Sequence, residues 1–138
     1  MARILALDYG KKRTGIAVTD PLQLIASGLE TVPTEGLLAF LESYLAREEV
    51  SCIVIGEPRQ MDYTPSEVEP EIRAFIGRLQ GRFPQLQVAR QDERFTSKMA
   101  ARAMVQGGVK KKKRQDKAVL DQISATLILQ AYLSRKEV

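Results

Sequence analysis

The chain has 138 residues, of which 44% are hydrophobic and 28% charged, a size and balance typical of one folded domain. It contains no His, no Trp and one Cys, which excludes Ser-His-Asp and Cys-His nucleophiles, His-ligated zinc and an internal disulfide. Any catalysis must therefore use carboxylates, Lys, Arg, Tyr, hydroxyls or a metal held by oxygen. We expect residues 1–138 to form a single domain.

The sequence also predicts a cellular location. No run of about 18 apolar residues is present, and the apolar stretch that ends at Asp8 is too short for a secretion signal. The lone Cys52, which we expect in the core, fits a reducing compartment. We expect a soluble, cytoplasmic protein with no membrane partner.

The first part of the chain predicts three strands and a helix. Residues 3–9, 15–18 and 27–32 have the apolar character of strands, and a basic turn joins the first two. Thr34 is expected to cap a helix whose apolar residues recur at three- and four-residue steps.

The β-branched run at residues 51–56 predicts an interior parallel strand. Ser66 and Glu69 have the spacing of a capping box at the start of the next helix. Residues 86–91 predict another strand.

Two helices are predicted after that strand. One runs from Thr96 or Ser97 through Met104 and stops at Gly107 and Gly108. The last follows Asp116 and is apolar on nearly every side between residues 123 and 133. The order of elements predicts an α/β fold, a mixed five-stranded sheet with helices on both faces.

Acidic residues stand at the ends of these elements: Asp8, Glu57, Asp92, Glu93 and Asp121. Open sheets bind ligands at the carboxyl ends of their strands, so these acids could converge in one cleft. Converging carboxylates suit Mg²⁺ or Mn²⁺, which can activate water for phosphodiester hydrolysis. Each acid taken alone could instead serve a turn, a surface ion pair or a helix N-terminus.

The net charge is +4, and much of the excess lies in one unbroken run: Lys110, Lys111, Lys112, Lys113 and Arg114. Such a cluster points to an anionic polymer, most simply nucleic acid, while the alternative is a solvated surface loop.

Several motifs resemble one known family. The segment from Asp8 to Asp20 reads D-x-G-x-x-R-x-G-x-A-x-x-D, and further blocks at residues 54–62, 92–97 and 121–133 agree in order along the chain. Together they resemble the RuvX/YqgF family of RNase H-like proteins, described as Holliday-junction resolvases and as nucleases that mature the 16S ribosomal RNA precursor.

The resemblance implies roles for individual residues. Asp8, Glu93 and Asp121 would be the catalytic, metal-binding carboxylates, and Asp92 is a rival to Glu93 because adjacent strand residues face opposite ways. Glu57 stands where the family commonly has an apolar residue, and it is either an additional ligand or an exposed loop acid.

The same resemblance implies a nucleic-acid-binding set. Arg13 and Arg94 would hold phosphate, and Thr96 at a helix start would add a hydroxyl and free N–H groups. The charge of the run Lys110–Arg114 and its position just before Asp121, rather than the resemblance, predict that it binds backbone phosphates without reading sequence. Tyr63 could stack on a base or simply pack against the protein.

We expect a divalent-metal-dependent endonuclease, and the resemblance alone implies that it matures the 5′ end of pre-16S rRNA. The alternatives are a Holliday-junction resolvase acting on branched DNA and a non-catalytic RNA- or ribosome-binding module. Expected partners are structured RNA, branched DNA and ribosomal precursor particles, with the protein a monomer or a homodimer.

Overall fold

The computed structural model describes residues 2–58, 67–92 and 117–136. The elements in chain order are β1 (Arg3–Tyr9), β2 (Arg13–Thr19), β3 (Ala26–Pro33), a 3₁₀ turn (Thr34–Gly36), α1 (Leu37–Arg47), β4 (Val50–Glu57), α2 (Glu69–Arg82), β5 (Gln87–Asp92) and α3 (Lys117–Lys136). The helix predicted from Thr96 or Ser97 to the stop at Gly107 and Gly108, and the predicted cap Asp116, lie outside the described residues.

The strands form one mixed sheet in the order β3-β2-β1-β4-β5. β1 and β2 are antiparallel, as are β2 and β3, whereas β4 lies parallel to both β1 and β5. The predicted five-stranded mixed sheet and its interior parallel strand at β4 are therefore confirmed. Because β1, β4 and β5 run the same way, their carboxyl ends meet at one edge of the sheet.

The sheet has a separate apolar core on each face. Leu5, Leu7 and Tyr9 of β1 belong to the core with buried residues of α1 and α2. Ile4 and Ala6 belong to the other core, which includes buried residues of α3. This alternation follows from the two-residue period of a strand, and it confirms that helices cover both faces.

The C-terminal helix α3 lies across the second face. Its side toward the sheet is buried at Ser124, Ala125, Ile128, Leu129 and Tyr132. The hydroxyl of Thr31 donates to the carbonyl of Ala118 at 2.6 Å, so the start of α3 is held against β3. Cys52 is buried beneath this helix, as expected for a core residue.

Two predicted caps are wrong. Thr34 does not cap a helix. Its hydroxyl donates to the carbonyl of Gly10 at 2.6 Å, and its N–H donates to the carbonyl of Lys12 at 3.0 Å. Thr34 therefore holds the basic turn between β1 and β2 in place. It makes these tertiary hydrogen bonds instead of the predicted cap.

The predicted capping box also fails. Ser66 lies outside the described residues, but α2 begins at Glu69 with Val68 as its N-cap, so Glu69 is not in the third position that the capping box requires. The Glu69 carboxylate binds arginines instead. The Glu69 carboxylate therefore forms a buried ion pair with Arg90 instead of capping the helix.

None of the helices in the described part of the chain has the length and apolar character needed to cross a membrane.

Candidate functional site

Asp8 is the last residue but one of the central strand β1, and it lies on the face that α3 covers. It follows Ile4 and Ala6 at two-residue steps, and both belong to the core beneath α3. Its neighbour across the β1–β2 pair is Gly15. Side chains of directly paired strand residues lie about 4.5–5.5 Å apart at Cβ, so whatever contacts Gly15 lies close to Asp8.

Asp121 of α3 lies directly on Gly15. A Cβ atom at Gly15 would be 2.9 Å from Cβ of Asp121 and would overlap the Asp121 carbonyl group. Only glycine allows the helix to approach β2 this closely. Asp8 and Asp121, 113 positions apart in the sequence numbering, are thereby brought beside the same glycine.

Arg13 lies beside Asp8, Gly15 and Asp121, and we call these four residues the corner. Its Nε donates to Oδ2 of Asp121 at 2.9 Å, and the two side chains are 40% and 21% exposed. The structure thus brings together three predicted site residues, Asp8, Arg13 and Asp121. The predicted contact of Arg13 with phosphate remains a prediction.

Glu57 and Asp92 belong to the opposite face. They are neighbours at the ends of β4 and β5, and they continue the alternation of Ile53 and Ile55, and of Val88, toward the α1–α2 core. Neither acid is therefore on the side of the sheet that carries Asp8 and Asp121.

A buried ion cluster on this opposite face was not predicted as such from the sequence. Glu69 is 3% exposed at its side chain and accepts two hydrogen bonds from the Arg90 guanidinium, at 2.7 and 3.0 Å. Arg73 adds a third bond at 2.9 Å. The hydrogen bonds from Arg90, more than the opposing effect of burial, lower the pKa of Glu69 below its ordinary value.

Arg90 also holds the end of β4. Its guanidinium donates to the carbonyls of Ile55 and Gly56 at 3.2 and 3.0 Å. The Glu69–Arg73 spacing of four residues is visible in the sequence as a helical ion pair. The partnership with Arg90 appears only when the chain is folded.

The last acid of the first motif, Asp20, has a different role. It follows the far end of β2 and accepts hydrogen bonds from the N–H groups of Leu24 and Ile25, at 2.8 and 2.7 Å. These backbone bonds lower the pKa of Asp20. Asp20 shapes the turn before β3 and is not part of the corner formed by Asp8 and Asp121.

Other predicted site residues fall outside the described ranges: Tyr63, Glu93, Arg94, Thr96, Lys110, Lys111, Lys112, Lys113 and Arg114. Within residues 2–58, 67–92 and 117–136, no three or more Asp, Glu, Cys or His side chains are grouped as metal ligands. The described ranges contain two of the three residues predicted as metal ligands, Asp8 and Asp121, and their binding of a metal remains a prediction.

An open cleft of about 610 Å³ lies at the other end of the sheet, lined in part by Glu48, Val50 and Leu86. It is next to the start of β4, not to the carboxyl end. In an open α/β sheet the carboxyl edge is the usual ligand site, and that is where Asp8 lies. We therefore assign the candidate site to the corner with Asp8 and Asp121.

Comparison with known proteins identifies the family of this chain. The family model described as "RuvX: Holliday junction resolvase" matches residues 2–135. The chain belongs to the RuvX family. The family resemblance drawn from the sequence motifs is thus confirmed.

Several relatives of this RuvX-family chain carry the provisional name pre-16S rRNA nuclease. The protein of Christiangramia forsetii is 58% identical over 133 residues, covering 96% of this chain and 98% of the relative. Those of Bacteroides thetaiotaomicron and Flavobacterium johnsoniae are 57% and 54% identical over 136 residues, with 99% of both chains covered in each case.

A solved structure shares the fold. RuvC of T. thermophilus, determined in complex with a Holliday junction substrate, superposes with a TM-score of 0.59 and 20% identity, covering 99% of this chain and 96% of that chain. RuvC has an RNase H-like fold, so the predicted fold class is confirmed.

Proposed function

We propose that this RuvX-family chain is a divalent-metal-dependent endonuclease that matures the 5′ end of pre-16S rRNA. The observation that carries the proposal is the meeting of Asp8 and Asp121 beside Gly15 at the carboxyl edge of the sheet. The names of relatives that are more than half identical support the substrate. The proposal treats residues 1–138 as one nuclease domain acting in the cytoplasm, with ribosomal precursor particles as its partners.

The oxygen-only donor set fits a hard cation. Asp8 and Asp121 offer carboxylates, and the chain has no His to favour a softer metal. We assign these two acids and Glu93 as the ligands of Mg²⁺ or Mn²⁺. Such an ion, when bound, makes water a better nucleophile and offsets charge on the phosphate.

The choice of Glu93 rests on the family motif and on where its rival Asp92 lies. Ala89 belongs to the core beneath α3, and Asp92 has the opposite parity. Asp92 therefore lies on the face of the sheet away from Asp8, which weakens it as a rival to Glu93. We therefore favour Glu93 over Asp92 as the third catalytic carboxylate.

Basic residues would hold the nucleic acid. Arg13 is 40% exposed at the rim of the corner, where a phosphate could reach its guanidinium. We assign the same role to Arg94, to the Thr96 hydroxyl and to the run Lys110–Arg114. The net charge of +4 favours such contacts with a polyanion.

The second candidate function is resolution of Holliday junctions. The description of the matching family favours it, and RuvC, which shares the fold, was solved with that substrate. The two functions would use the same carboxylates and differ in the nucleic acid bound.

A cleavage assay tests the proposal. Purified protein is given pre-16S rRNA or a four-way DNA junction, with Mn²⁺, Mg²⁺ or a chelator. We expect metal-dependent cleavage of the RNA near its mature 5′ end, lost by at least about 100-fold in Asp8→Asn and Asp121→Asn because each removes a charged ligand. Preferential cleavage of the junction would support the second function.

Glu57→Gln is the matched control, because Glu57 ends a neighbouring strand but lies on the opposite face of the sheet. We expect it to cleave at close to the wild-type rate. Binding of RNA without cleavage under any metal condition would contradict the proposal and indicate a binding module.

A further inference from the structure

The ion pair between Arg13 and Asp121 places a positive charge on a proposed metal ligand. The guanidinium Nε donates to Oδ2 of Asp121 at 2.9 Å, so one oxygen of that carboxylate already has a cationic partner. The pair joins the strand that leaves the basic turn to the helix that carries the ligand.

A guanidinium and a divalent cation at the same carboxylate oppose one another. Both seek the negative oxygen, and their positive charges repel over a few ångströms. Binding of the metal must therefore either displace Arg13 or tolerate that repulsion. In both cases Arg13 lowers the affinity of Asp121 for the metal.

The hydrogen bond between Arg13 and Asp121 can be replaced by contacts with water or with another ion. It is one N–O hydrogen bond between side chains that are 40% and 21% exposed, and exposed pairs contribute little to stability. By contrast, the backbone near Arg13 is fixed, since Thr34 holds the carbonyls of Gly10 and Lys12. The side chain can therefore leave Asp121 while the turn stays in place.

We propose that Arg13 competes with the divalent cation for Asp121 and is released when the metal binds. This inference rests on the proposed function, because it requires a metal at Asp8 and Asp121. The released guanidinium is then available to a phosphate, whose oxygens match its planar donors. Metal binding at Asp121 would thus free the Arg13 guanidinium to bind a phosphate of the substrate.

Mn²⁺ binding to the full-length protein, measured by the electron paramagnetic resonance signal of free Mn²⁺, tests the competition without any activity assay. We expect Arg13→Gln to bind Mn²⁺ about three- to tenfold more tightly than wild type, because a nearby charge and a competing partner are both removed. Lys11→Gln is the control, because it removes an exposed cation from the adjacent turn. We expect it to change the affinity by less than about twofold.

A second readout follows Arg13 itself. In ¹⁵N NMR of the wild type, the Arg13 Nε–H resonance, assigned by its absence in Arg13→Gln, is expected to shift toward the position of a free guanidinium as Mg²⁺ is added. Unchanged or weaker Mn²⁺ binding by Arg13→Gln, or an equal gain in Lys11→Gln, would overturn the competition. Circular dichroism of each variant confirms that it is folded.

The outcomes separate this inference from the proposed function. If wild type binds Mn²⁺ and Asp121→Asn does not, the metal site stands, and the Arg13→Gln result judges the competition alone. If neither wild type nor Arg13→Gln binds Mn²⁺, the metal site itself is wrong and the competition falls with it.

Discussion

Two ion pairs at the same edge of the sheet differ in almost every physical respect. On the α1–α2 face, Glu69 is 3% exposed and accepts a forked pair of bonds from Arg90. On the α3 face, Asp121 has a single bond to Arg13, and both side chains reach water. Each pair joins a helix to a strand.

The difference separates a pair built for stability from one suited to exchange. The Arg90 guanidinium also satisfies the carbonyls of Ile55 and Gly56, so removing Glu69 would leave a largely buried cation without its carboxylate partner. Water can replace either partner of the Arg13–Asp121 pair at much smaller cost. Asp121 is therefore available to another cation, whereas Glu69 is not.

Breaking the buried pair should have the largest effect. We expect Glu69→Ala to lower the free energy of unfolding by about 3–5 kcal/mol, because Arg90 loses its carboxylate partner. Urea denaturation at neutral pH measures this loss. Glu71→Gln is the control, since Glu71 is exposed in the same first turn of α2. A similarly small loss in both variants would contradict the assignment of Glu69.

The close approach at Gly15 should come next. We expect Gly15→Ala to lower the free energy of unfolding by about 1–3 kcal/mol, because its Cβ would overlap the backbone of Asp121. Gly77→Ala is the control, because no atom lies within 4 Å of a Cβ added there in α2. That control should be neutral or stabilising, as alanine favours a helix. Equal stability of both variants would argue against α3 resting on β2.

The pH dependence of stability sharpens the contrast. The pKa of Glu69 is lowered in the folded protein, so the unfolded state binds its proton first as the pH falls. The stabilisation from Glu69 is full above the unfolded pKa, near the ordinary value of 4.5, and is lost as the pH falls through the folded pKa. The difference in the free energy of unfolding between wild type and Glu69→Gln should therefore shrink as the pH falls below about 4.5, the ordinary pKa of a glutamate. A constant difference between pH 7 and pH 3 would contradict this account.

Breaking the open pair should have the smallest effect on stability. We expect Asp121→Asn to change the free energy of unfolding by less than about 1 kcal/mol, because the pair is solvated and the amide can keep a hydrogen bond. The same urea titration measures it. A loss as large as that of Glu69→Ala would show that Asp121 is a structural residue.

Much of the fold follows from local patterns in the sequence. The β-branched run that becomes β4 and the helical spacing of α1 predict these elements, because burial on a strand or a helix imposes its own period. The capping roles predicted for Thr34 and Glu69 are wrong for one shared reason. Their side chains have good local partners in the sequence, but distant groups, the Gly10 carbonyl and Arg90, bind them in the folded chain.

The candidate site divides in the same way. The motif acids Asp8 and Asp121 could be selected from the sequence, but their meeting depends on Gly15, whose role as a contact surface for a helix has no local signature. The face on which Asp92 lies could not be predicted from the sequence, because it depends on which residues of β4 and β5 belong to each of the two cores. The sequence predicts Arg13 as a motif residue, but its ion pair with Asp121 appears only in the folded chain.

The most direct test of the account is a crystal structure of the full chain grown with Mn²⁺, with the metal located by its anomalous scattering. We predict a manganese peak bound by the carboxylates of Asp8 and Asp121, with the Arg13 guanidinium withdrawn from Oδ2 of Asp121. A manganese site formed instead at Glu57 and Asp92, or Asp8 and Asp121 free of metal at saturating Mn²⁺, would contradict it.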